Sequence, residues 1–79
     1  MTPTSKSQSD ARPDAVIAWD VRQALKFDSD VPDERITVQV HDGLVTLDGN
    51  VEARLQKEAA EADALKVKGV RGVTNRIIV

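Results

Sequence analysis

Hydrophobic and polar positions change period four times along this chain, and each change marks an element. Ile17, Val21, Ala24 and Leu25 recur at helical spacing, with Asp20, Arg22, Gln23 and Lys26 off the stripe. That spacing predicts an amphipathic first helix. Its start is signalled by Asp10 to Asp14, where acidic residues sit at the positive end of the helix dipole and Pro13 is tolerated in a first turn. Phe27 is expected to close the stripe, and the helix should stop before the turn-rich DSDVPDE segment, residues 28–34.

A period of two follows. Ile36, Val38 and Val40 alternate with Thr37, Gln39 and His41, and Val45 and Leu47 alternate with Leu44, Thr46 and Asp48. Asp42-Gly43 lies between the two segments, the pair that favours a two-residue hairpin turn. Such a turn pairs Val40 with Val45, Val38 with Leu47 and Ile36 with Gly49. All the apolar partners then share one face, and a one-residue slip would turn them into water. The other face pairs His41 with Leu44, Gln39 with Thr46 and Thr37 with Asp48, and is expected to be wet.

Residues 52–68 are rich in Ala, Glu, Lys and Leu, a composition with high helix propensity. Ala53, Ala60, Ala64 and Val67, with the stem of Lys57, make the face expected to point inward. Leu55, Ala59, Ala62 and Leu65 spread over the flanks. Alanines on the buried side imply a close helix–sheet approach. Gly69 is expected to end this helix, with Lys66 and Lys68 in its last turn. Val73, Asn75, Ile77 and Val79 then alternate with Thr74, Arg76 and Ile78 in a third strand.

The order α-β-β-α-β predicts an α+β domain: a three-stranded mixed sheet with two helices packed on one face. A hairpin followed by a helical crossover makes the third strand parallel to the second, which places strand two in the centre. A fully antiparallel sheet with strand one central is the alternative topology. Residues 1–9 carry no periodicity and read as a disordered tail, so the single domain is expected over 10–79.

Composition narrows the chemistry. The chain has 79 residues, which limits it to one small core. With no cysteine it has neither disulfide nor thiolate chemistry. Met1 to Asp10 is polar and has no signal-peptide pattern, and no apolar run approaches the length of a membrane span. As written, the chain is expected in the cytoplasm, or in the periplasm if a leader has been removed.

Two segments together carry a family resemblance. ITVQVHDGLVTLDGNV, residues 36–51, and GVRGVTNRIIV, residues 69–79, resemble the BON domain. The matching positions are Val38, Val40, Asp42, Gly43, Val45, Leu47, Gly49, Val51, Gly69, Val70, Val73 and Asn75, and the resemblance covers residues 13–79. It implies the same α-β-β-α-β fold and a structural role for Asp42, Gly43, Gly49, Gly69 and Asn75. It also implies contact with anionic phospholipid surfaces and a setting of envelope integrity and osmotic stress, with no catalytic residues to carry over. Since the chain shows neither leader nor lipid anchor, it resembles the leaderless BON proteins with domains in tandem. The expectation is a first domain of a longer protein, with sibling BON domains as possible partners.

Candidate chemistry is sparse beside that resemblance. His41 is the only histidine, and with Asp42 it makes no metal or catalytic set. Asp28, Asp30, Asp33 and Glu34 suggest a calcium loop, but Asp33 stands where such a loop needs glycine. The glycines form no dinucleotide or phosphate fingerprint. Gly43 serves the turn, and Gly49 is expected to admit a helix backbone at an inward strand position. No cofactor, metal, nucleic acid or small-molecule substrate is expected.

Charge is split: residues 10–53 hold four basic and ten acidic side chains, net −6, and residues 54–79 hold six basic and three acidic, net +3. Arg54, Lys57, Lys66, Lys68, Arg71 and Arg76 are therefore the candidate contact for an anionic lipid or partner surface. Trp19, the sole tryptophan, joins them as a candidate, although rim packing against its own sheet is the expected position.

Overall fold

In the computed structural model, which describes residues 12–79, the elements run α1 (Asp14–Phe27), a short 3-10 turn (Asp33–Arg35), β1 (Ile36–His41), β2 (Leu44–Asn50), α2 (Arg54–Leu65) and β3 (Gly72–Ile78). The expected tail at 1–9 and the helix-start residues Asp10 and Ala11 lie outside the described residues. The sheet order is β1-β2-β3, with β1 antiparallel and β3 parallel to β2. The fold is the mixed α+β arrangement, and the fully antiparallel alternative does not occur.

The hairpin register follows the hydrophobic pattern. Val40 pairs Val45, Val38 pairs Leu47 and Ile36 pairs Gly49. The turn has φ of 52° at Asp42 and 81° at Gly43, the left-handed pair of a type I′ turn. Its twist matches the twist of the flanking strands, so a two-residue connection suffices.

The core lies between the sheet and the helices. Ile17, Val21 and Leu25 of α1 meet Val38, Val45 and Leu47 of the hairpin and Ile77 of β3. Ala60 and Ala64 of α2 are fully buried, and their small side chains bring that helix close. Val31 also belongs to the core, although it sits in the acidic turn segment and has no place in any periodic stripe. No described helix is long and apolar enough to cross a membrane.

Several local expectations are corrected. α2 begins at Arg54 and ends at Leu65, so Ala53 is the exposed residue before its first turn and does not face inward. The helix starts there because Gln56 reaches back: its Oε1 accepts the N–H of Glu52 at 2.9 Å and of Ala53 at 3.2 Å. Lys66 follows the last turn, and Lys68 and Gly69 lie in the connection beyond it. Gly69 therefore does not cap the helix. Its φ is 97°, and a side chain there would press on Ile17 Cδ1 at 3.1 Å, so the glycine lets α1 come close. Phe27 does not close the α1 stripe: it is 82% exposed.

Gly49 also has a different neighbour from the one expected. A Cβ there would lie 2.0 Å from the carbonyl oxygen of Arg35, on the chain entering β1, and φ is 145°. The glycine accommodates the backbone where the 3-10 turn enters β1, and not the backbone of α1 or α2.

Candidate functional site

Arg54 and Lys57 lie on the side of α2 that faces β3, where they line a groove of about 530 Å³ with Glu58, Glu61, Asn75 and Ile78. Arg71, just before β3, folds onto the hairpin turn, its N–H donating to Gly43 O at 2.8 Å and its guanidinium to Asp42 O at 3.3 Å. Arg76 points from the helix-free face of the sheet, 3.4 Å from Asp48. Lys66 and Lys68 follow α2, and Arg12 donates to the Lys68 carbonyl at 3.2 Å. Arg54 and Lys66 are separated by the length of α2, about 18 Å at 1.5 Å per residue. The six basic residues are therefore spread over several parts of the surface, with Arg54 and Lys57 sharing the groove and Lys66 and Lys68 the connection after α2.

Trp19 is 59% exposed on the face of α1 opposite Ile17, Val21 and Leu25. It does not pack along the rim of the sheet. Val16 and the exposed Arg22 and Lys26 share that outer side. The acids of the helix are engaged elsewhere. Asp14 accepts two hydrogen bonds from the hairpin turn, and Asp20 is paired with Arg12. The outer side of α1 therefore presents an indole and two cations without a free carboxylate from its own helix.

The structural set inferred from the resemblance is tied together across the fold. Asn75 on the inner side of β3 donates through Nδ2 to Lys57 O at 3.0 Å and Glu61 Oε1 at 3.2 Å, and its Oδ1 accepts the Ile77 N–H at 3.2 Å. β3 is an edge strand. Val51 N–H donates to Ile78 O at 2.9 Å, so the Ile78 backbone faces β2 and that of Ile77 faces the open edge. Asn75 thus latches α2 and occupies one edge donor with the same carboxamide.

Catalytic geometry does not develop around the remaining candidates. His41 is exposed, 3.4 Å from an exposed Asp42 carboxylate. Asp33 and Glu34 form the 3-10 turn, and Asp28 Oδ1 accepts the Asp30 N–H at 3.0 Å. Among the described residues no group of three or more His, Cys, Asp or Glu is placed to hold a metal ion.

One further ionisable site lies between the two helices. Asp63 of α2 faces Asp28, at the C-terminal cap of α1. Burial and the hydrogen bond to Asp28 push its carboxyl from the ordinary 3.8 up to about 6. The hydrogen bond with Asp63 and the Asp30 amide hold Asp28 below its ordinary value. Nothing in the local pattern marks this pair, because its members lie on different helices.

Comparison with known proteins adds two findings. A family model described as BON domain matches residues 13–79. The Osmotically-inducible protein Y of Escherichia coli (strain K12) is 34% identical over 62 residues, covering 78% of this chain and 31% of that relative. The chain thus spans about a third of the length of that curated relative.

Proposed function

The chain belongs to the BON domain family, and on that premise we propose that it is a non-catalytic binding module that contacts an anionic phospholipid surface. The observation that carries this reading is the exposure of Trp19 beside Arg22 and Lys26 on the outer side of α1. An indole has an apolar body and a polar N–H, which suits the boundary between headgroups and acyl chains. Each nearby cation adds about 1 kcal/mol of attraction to an anionic leaflet. Arg54, Lys57, Lys66, Lys68, Arg71 and Arg76 contribute to the long-range field and are not a single docking patch. The name of the E. coli relative supports a setting of osmotic stress.

Co-sedimentation with vesicles at low salt tests the proposal. Partition into anionic vesicles, weakened by salt and by Trp19→Ala, supports it. Equal partition between neutral and anionic vesicles overturns it.

A second reading, docking onto a sibling BON domain, is favoured by the extra length of the relative and by the helix-free face of the sheet, where Leu44 and Ile78 are exposed. Chemical shifts compared between this domain alone and joined to a neighbour test it. Unchanged shifts on that face overturn it.

A further inference from the structure

The junction between the two helices contains a carboxyl group with an unmet need. Asp63 Oδ2 is buried, and no hydrogen-bond donor among the described residues reaches it. Its neighbour across the junction is the carboxylate of Asp28, which is already fixed by the Asp30 amide at 3.0 Å. Two carboxylates cannot satisfy each other, because both are acceptors only. One proton between them changes that: Asp63 then donates to Asp28, and like-charge repulsion disappears.

We propose that Asp28 and Asp63 form an acid-closed latch, in which one proton holds the C-terminal end of α1 to α2 and its loss loosens that junction. A shallow cavity lined by Ser29, Asp30, Leu55, Gln56 and Ala59 lies at the same helix junction. Other charges act on the pair. Asp30, in the loop after α1, raises the affinity of Asp63 for the proton, and Lys66, after α2, lowers it. Lys66 is exposed, so it offsets the carboxylates only partly.

The sign follows from proton linkage. Asp63 binds its proton more tightly in the folded state, so the stabilisation is complete below about 4 and is lost as pH rises through about 6. Asp28 is held low, so its own contribution is lost only on acidification below its ordinary 3.8. The window between these values belongs to Asp63.

The test combines carbon NMR titration of the Asp63 carboxyl with thermal unfolding of the full chain from about pH 4 to about pH 7.5. The expected result is a carboxyl that titrates near 6 and a melting temperature that falls through the same range. Asp63→Asn supplies a permanent donor to Asp28 and should flatten the profile, with a melting temperature above that of the parent chain at the higher pH. Asp28→Asn should return the Asp63 titration toward its ordinary range. A His41→Gln control should leave the profile unchanged. Titration of Asp63 near 3.8, or parallel melting profiles for the parent chain and Asp63→Asn, would overturn the latch.

Discussion

Asp14 Oδ1 accepts a hydrogen bond from the backbone N–H of Gly43 at 3.0 Å. The other oxygen of the same carboxylate takes the Asp42 N–H at 2.9 Å, so the first turn of α1 clamps the hairpin turn from 28 residues away. Hydrogen bonds to a charged group are stronger than neutral ones. Asp14→Ala should cost about 1–3 kcal/mol in urea unfolding, with accelerated amide exchange at residues 42 and 43. Unchanged protection of those two amides would remove the clamp from consideration.

Asn75 makes three contacts with one side chain, so its replacement should be more costly than that of an ordinary strand residue. Asn75→Ala leaves the Ile77 N–H and the Glu61 carboxylate without that partner and should cost about 2 kcal/mol. Asn75→Asp keeps an acceptor for Ile77 but places a negative charge beside Glu61, and should cost at least as much at neutral pH. The alanine variant also frees an edge donor, so light scattering should show more self-association than the parent chain.

Gly49 and Gly72 make a matched pair for substitution. Gly49→Ala drives a methyl group into the Arg35 carbonyl, a backbone atom that cannot swing away, at a φ of 145°. Destabilisation of about 3 kcal/mol or more is expected, by circular dichroism melting. Gly72→Ala meets only Leu44 Cδ2 at 3.4 Å and should be neutral or stabilising by about 0.5 kcal/mol. Similar melting of the two variants would contradict the close approach at Gly49.

Trp19→Ala separates binding from folding. With 59% of the residue exposed, its removal should cost under about 1 kcal/mol of stability. Loss of vesicle partition with the melting temperature retained is the expected result. A variant that melts early and still partitions normally would place the contact elsewhere.

How much of this was legible in the residues alone depends on the distance over which each feature acts. Alternation around Asp42-Gly43 specified the hairpin register, because turn geometry and strand period are properties of adjacent residues. The crossover through an Ala-rich helix favoured β3 parallel to β2, and the sheet order β1-β2-β3 decided it against the antiparallel alternative. The limits of α2 were harder to read. Composition favours helix from Glu52 to Lys68, but the side chain of Gln56 sets the start, and the last turn closes at Leu65.

The sequence by itself determined the element order, the register of the hairpin and the apolar face of α1, since each rests on a short repeat and local turn chemistry. Tertiary structure decided which acids remain available to the surface, and by contacts that have no period. Asp14 is drawn to the turn amides, Asp20 to Arg12, and Asp63 to Asp28. It also turned a net charge of +3 in the last third of the chain into separate basic positions, because Arg54 and Lys57 flank a groove while Arg76 leaves the opposite face of the sheet. Charge can be counted along a chain, but its partners are fixed only when packing brings remote segments together.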